Sequence, residues 1–259
     1  MVTPSPARAP DHVALFFGAS QGIGAATARA FALRGAQVCV VARDGEKLEA
    51  LRTAFAAQGL DLWVKAADVG VADQVAGAVT EALGRYGRID TVIDFAAQTG
   101  PLDRPIWNIP KEDWRRVMST NLDGVFHILQ AVLPTLTRQG WGTLLLASSP
   151  FGEMTTPGMG AYATSRAASH ALMLQTAAEV QGTRVAVAVV FPGMTDTEGL
   201  AAFRRARGGA QIASATVPVE TMANLFVWTA LQPPQTINGQ LLAWSDTDVR
   251  ASVAELPAP

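Results

Sequence analysis

The feature that most restricts this chain is a regular alternation of short apolar runs with longer stretches of helical periodicity. The runs Val13–Phe17, Gln37–Val41, Leu62–Ala66, Thr91–Phe95, Thr143–Ala147, Arg184–Phe191 and Gln240–Ala243 are rich in Val, Ile, Leu and Ala. Short unbroken apolar runs of this kind fit strands buried on both faces, as in a parallel sheet. Between them the periodicity predicts helices over Ala25–Arg34, Glu46–Ala57, Val71–Tyr86, Trp114–Thr137, Tyr162–Val180 and Val219–Leu231. Parallel strands need crossovers of about a dozen residues or more, and these helices supply them. The expected fold is doubly wound α/β: a parallel seven-stranded sheet, order 3-2-1-4-5-6-7, with helices on both faces. No linker or internal repeat divides residues 11–259, which read as one domain after a loose arm at 1–10 containing Pro4, Pro6 and Pro10.

Composition narrows the classes of partner. Hydrophobic residues make up 49% of the chain and charged residues 16%, which argues against disorder. A net charge of −2 gives no reason to expect nucleic acid or an anionic membrane surface. One cysteine, Cys39, excludes an internal disulfide, and with three scattered histidines it cannot supply a familiar zinc spacing. No apolar run is long enough for a membrane span, and the first ten residues lack a signal core, so a cytoplasmic protein is expected.

Gly18-Ala19-Ser20-Gln21-Gly22-Ile23-Gly24 follows the first predicted strand and opens a helix. Glycines let the backbone approach a pyrophosphate, and the free N–H groups of the helix start attract the anion. In a βαβ context this spacing points to a Rossmann dinucleotide site. An acid ending the second strand would bind the adenosine ribose 2′-hydroxyl; here Ala42 is followed by Arg43. A guanidinium there suits a 2′-phosphate, which favours NADP(H), although it could equally begin a polar helix. Asp68 ends the third strand, placed either to accept from the adenine amino group or to cap the next helix. Val69 and Ala96 complete this part of the expected cofactor set.

Ser149 ends the fifth strand, and Tyr162 and Arg166 stand four residues apart on one helix face. A phenol titrates near pH 10, and a neighbouring positive charge moves it toward a useful acid/base range. The order GASQGIG, Arg43, Asp68, Asn121, Ser149, Tyr162 and Pro192-Gly193 resembles the short-chain dehydrogenase/reductase family over nearly the whole chain. The resemblance implies that Ser149 orients a carbonyl, Tyr162 exchanges the proton and Asn121 holds a relay water. It also implies that Pro192, Gly193 and Thr197 flank the nicotinamide, beneath a substrate lid at about 194–217. Relatives pair through the helices carrying Asn121 and Tyr162, so a homodimer or homotetramer is expected.

Three positions depart from the family pattern. Phe17 stands where a threonine is usual, Asp94-Phe95-Ala96-Ala97 replaces Asn-Asn-Ala-Gly, and Arg166 replaces the lysine of Tyr-x-x-x-Lys. Arginine keeps the charge and can hold ribose hydroxyls, but it retains its protons too tightly to relay them. Asp94 is expected to form a buried pair with Arg166. The leading expectation is an NADP(H)-dependent enzyme acting on a small carbonyl or alcohol substrate. The alternatives are an NADP-binding protein doing lyase, cyclase or isomerase chemistry, or only sensing the nucleotide. A Ser–Tyr–Arg set also resembles the halohydrin dehalogenases, which place a bulky aromatic where this chain keeps Gly22.

Among lesser features, Trp107, Phe151, Met154 and Met159 could line an apolar pocket or pack in the core. The basic stretch Phe203–Arg207 could meet an acidic substrate or form a solvated helix. His127 and His170 read as structural.

Overall fold

The computed structural model describes residues 12–206 and 216–257. Its seven strands are β1 (Val13–Phe17), β2 (Gln37–Ala42), β3 (Trp63–Ala66), β4 (Thr91–Asp94), β5 (Gly142–Ala147), β6 (Val185–Phe191) and β7 (Leu241–Ala243). All pair in parallel, in the order β3-β2-β1-β4-β5-β6-β7. The helices α1 (Gly22–Ala32), α2 (Gly45–Ala56), α3 (Ala72–Tyr86), α4 (Lys111–Met118), α5 (Gly124–Gln139) and α6 (Gly160–Glu179) make the first crossovers. They are followed by α7 (Glu198–Ala206), α8 (Val219–Ala230), the single turn α9 (Pro234–Ile237) and α10 (Thr247–Ala254). The expected arm at 1–10, the lid residues 207–215 and Arg207 lie outside the described residues.

Alternation along a strand sends successive side chains to opposite faces, and each face here builds its own core. Val13, Leu15 and Phe17 of β1 join α3, α5 and α6 in one cluster. Ala14 and Phe16 join α1, α8 and α10 in the other. Burying a side chain the size of Leu or Phe contributes roughly 1.5–3 kcal/mol, so two such layers account for strands that read as continuous apolar runs. Phe17, the first departure from the family pattern, is a fully buried member of the first layer.

The helix expected over Trp114–Thr137 is instead two helices joined by a π turn at Ser119–Asp123. Such turns form where a side chain leaves the regular ladder to bond elsewhere. Here that side chain is Asn121. Its Oδ1 accepts from Gln98 N–H at 2.8 Å, and its Nδ2 donates to Gln98 O at 2.8 Å and to Ser165 Oγ at 2.9 Å.

Candidate active site

The carboxyl ends of the strands open onto a cleft of about 460 Å³. Its floor is the loop between β1 and α1. Gly18 has φ +69°, and a Cβ there would lie 2.4 Å from Ala96 N, so only glycine allows the β1 and β4 ends to approach this closely. At Gly24 a Cβ would fall 2.7 Å from Ala19 Cα, which ties the first turn of α1 against the loop. Gln21, the N-cap of α1, gives the helix no side-chain hydrogen bond. A helix start without a side-chain cap is a geometry that suits an anion.

Of the residues assigned to the cofactor from sequence, Gly18, Ser20, Gln21, Gly22, Ile23, Gly24, Arg43, Val69, Ala96, Arg166, Pro192 and Thr197 line the cleft. Asp68, Tyr162 and Gly193 do not. Asp68 Oδ1 accepts from Gly70 N–H at 2.8 Å, and its Oδ2 lies 3.9 Å from Arg43 Nη1. It thus forms a local turn rather than capping α3, whose N-cap is Val71. Gly193 packs instead toward Trp244, where an added Cβ would meet the indole at 2.7 Å. Thr197 accepts from Leu200 N–H at 3.3 Å within the start of α7.

Sequence reasoning missed Lys47, which lines the cleft and reaches Gln21 Oε1 and Glu198 Oε2, the latter at 3.1 Å. The signal was present, since Lys47 lies one turn beyond Arg43, but a lysine on a polar helix resembles any solvated cation. It also missed Ser148, which lines the cleft while its neighbour Ser149 does not.

Ser149 is half-buried, and its Oγ accepts from Phe151 N–H at 3.4 Å. Tyr162 is 8% exposed, in a small apolar cluster with Leu102 and Met159. Phe151 meets it edge-on at 6.5 Å and stacks at 5.8 Å on Phe203 of α7, so α7 rests on the phenol's own packing partner. Phe151 and Met159 therefore pack in the small core around Tyr162, whereas Trp107 (81% exposed) and Met154 face outward, and none of the four lines the cleft. Of the basic stretch, Arg204 and Arg205 occupy the last turn of α7.

Arg166 is 2% exposed, and its Cζ lies 5.3 Å from the centre of the Tyr162 ring, in cation–π range. Its Nε and Nη1 are buried without a hydrogen-bond partner. Two unpaired donors on a buried guanidinium that lines the cleft fit the hydroxyls of a ribose, so the residues present suit a nicotinamide dinucleotide. The expected Asp94–Arg166 ion pair does not form. Asp94 Oδ1 accepts from Ala96 N–H at 2.8 Å, while its Oδ2 is buried without a partner. Burial pushes its carboxyl up to about 7 against the opposing pull of Ala96 N–H and the Arg166 charge.

His127 Nδ1 lies 2.8 Å from Val69 O, a structural contact as expected. His170 is less bland, because its Nε2 lies 2.7 Å from Ser148 Oγ in the wall of the cleft. Among the described residues no helix is long and apolar enough to cross a membrane, and no cluster of His, Cys, Asp or Glu could hold a metal ion.

Comparison with known proteins agrees with this geometry. The family model described as short chain dehydrogenase matches residues 12–208. An uncharacterized oxidoreductase of Staphylococcus epidermidis is 33% identical over 193 residues, 74% of this chain and 81% of that protein. A 3-oxoacyl-(acyl-carrier-protein) reductase of Staphylococcus aureus is 33% identical over 181 residues, 70% of this chain and 73% of that one. The fold matches an actinorhodin polyketide ketoreductase solved with NADPH, with a TM-score of 0.84 at 23% identity, covering 92% of this chain and 97% of that one. On the breadth of these matches, the chain belongs to the short chain dehydrogenase family of oxidoreductases.

Proposed function

We propose that the protein is an NADP(H)-dependent reductase of a ketone or aldehyde, or the reverse alcohol dehydrogenase. The observation that carries the reading is the cleft itself: a glycine-lined floor at the start of α1, Arg43 and Lys47 at its outer end, and the unpaired donors of Arg166 within. Arg43 and Lys47 supply two cations where an adenosine 2′-phosphate would lie, with no acid ending β2 to repel it. When bound, the nicotinamide would supply or accept the hydride. Tyr162 would exchange the proton with the substrate oxygen, and Ser149 would steady that oxygen. Arg166 would keep positive charge against the phenol ring and hold the ribose. Asn121 would act first as a clamp, since all three of its hydrogen bonds go to the protein. The apolar surround of Tyr162 suits a largely apolar carbonyl compound.

Mixing the protein with NADPH and a panel of ketones, and following loss of absorbance, tests the reading directly. Arg43→Ala should weaken NADPH at least tenfold while leaving NADH within about twofold, because the lost contact is to the 2′-phosphate alone. Equal effects on both nucleotides would remove the assignment of NADP.

A second reading, NADP binding without hydride turnover, is favoured by the position of Arg166 over the face of the Tyr162 ring. Arg166→Lys separates the two. Binding without turnover on any substrate, with a large gain in reductase rate in the variant, would show that the arginine serves another chemistry. Dehalogenation fits less well, because Gly22 lines an open cleft where a bulky aromatic would fill it. A homo-oligomer paired through α5 and α6 is part of the proposal, since Phe126 and Leu174 leave large apolar side chains exposed on those helices.

A further inference from the structure

Only three residues among those described carry buried side-chain nitrogen or oxygen atoms without a hydrogen-bond partner: Asp94, Arg166 and His170. Arg166 faces the cleft, and Asp94 has its other oxygen bonded to Ala96 N–H. His170 is different, because half of its ring is engaged and half is not. It is 4% exposed, between the Phe191 ring at 5.2 Å and the backbone at Gly152. Its Nε2 meets Ser148 Oγ at 2.7 Å, and its Nδ1 meets nothing.

Burial and the nearby Arg166 charge push this imidazole down to about 4, so it is neutral at working pH and exists as one of two tautomers. With the proton on Nδ1, a buried N–H would be unpaired, and it would carry partial positive charge within the field of a guanidinium. With the proton on Nε2, the bare Nδ1 lone pair sits in that same field, and an unpaired acceptor costs less than an unpaired donor. The second arrangement is favoured on both counts. Its consequence falls on Ser148. If Nε2–H donates to Ser148 Oγ, the serine hydrogen is left free, and Ser148 has no other side-chain partner among the described residues. The residue is 7% exposed, in the cleft wall with Ala147, Arg166 and Pro192.

We infer that His170 is held as the Nε2–H tautomer, and that it thereby makes Ser148 a hydrogen-bond donor to an uncharged oxygen on the nicotinamide half of the dinucleotide. This rests on the dinucleotide reading above. Ser148 is then a cofactor-binding residue and His170 a positioning residue. The pair is not a nucleophile and base, because a histidine kept neutral at this depth, with no group to orient Nδ1, is a poor proton acceptor.

Two measurements on the full chain test it. In nitrogen-15 spectra of the histidine side chains, of which the chain has only three, His170 should show a protonated Nε2 and a bare Nδ1 at neutral pH. A protonated Nδ1 overturns the proposal. By calorimetry, Ser148→Ala should weaken NADP⁺ about five- to tenfold, the size of one lost hydrogen bond. It should leave 2′-phospho-ADP-ribose, which lacks the nicotinamide, within about twofold. His170→Gln keeps a donor within reach of Ser148 and should retain most of the affinity. His170→Phe should lose as much as Ser148→Ala, and the double variant no more than either. Equal losses on both ligands, additive losses, or no loss on NADP⁺ would overturn the assignment. Wild-type protein that binds neither ligand overturns the dinucleotide reading and the ligand assigned here, while the spectrum still decides the tautomer.

Discussion

Asp94 ends β4 with one carboxylate oxygen bonded to Ala96 N–H and the other buried alone. Its folded pKa of about 7 exceeds the unfolded value near 3.8. Between these values the folded state holds a proton that the unfolded state has lost, so this group's contribution to stability falls as pH rises from about 4 to 7. Asp94→Asn keeps the acceptor for Ala96 N–H and removes the cost of ionisation. The variant should be more stable than wild type at pH 8 by about 4 kcal/mol, at about 1.4 kcal/mol per pKa unit. The advantage should vanish by pH 4. Urea unfolding at both pH values checks it, and a pH-independent difference would show that the carboxyl is not buried in its neutral form. The sequence flagged Asp94 and Arg166 as unusual together, and both prove to be buried. It could not show that Asp94 would bond Ala96 N–H and leave its other oxygen buried without a partner.

At the scale of elements, the π turn between α4 and α5 is held by one side chain. Asn121 bonds both the N–H and the carbonyl of Gln98, and it reaches Ser165 on α6, whose own Oγ donates to Tyr162 O. The helix carrying the phenol, the loop after β4 and the α4–α5 junction are thus linked through a single buried amide. Asn121→Ala leaves the Gln98 backbone groups short of partners and should cost about 2–4 kcal/mol, read as a lower urea midpoint at unchanged slope. Asn121→Asp should cost a similar amount, since it keeps the acceptor but loses both donated bonds. A loss below about 0.5 kcal/mol would mean that the clamp is not structural. Periodicity predicted one long helix here because the three segments follow one another with no non-helical residue between them. Only the long-range partner Gln98 explains the interruption.

At the scale of the whole molecule, two buried histidines set the response to acid. Burial, aided in each case by a nearby arginine, lowers His12 and His170 to about 4. Below about pH 6.5 the unfolded chain takes up protons that these folded imidazoles refuse, so their contribution to stability is lost as pH falls from 6.5 toward 4. Asp94 works in the opposite direction over much of that range. Two groups against one should leave a net fall in melting temperature between pH 6.5 and 4.5, steeper in Asp94→Asn than in wild type. A flat profile in both proteins would contradict the burial of these rings. The strand order, the two apolar layers and the glycine loop were all legible in the chain, because sheet alternation, crossover length and left-handed turns are local demands that each residue type meets or fails by itself. Sequence alone also brought Gly18, Arg43, Val69, Ala96 and Arg166 to one cleft, since the ends of parallel strands converge whatever their side chains. Which of two adjacent serines lines that cleft, whether Asp94 touches Arg166, and which nitrogen of His170 holds its proton were decided only by tertiary structure. Those outcomes depend on burial and on partners far away in the chain, and neither is written in any local stretch of residues.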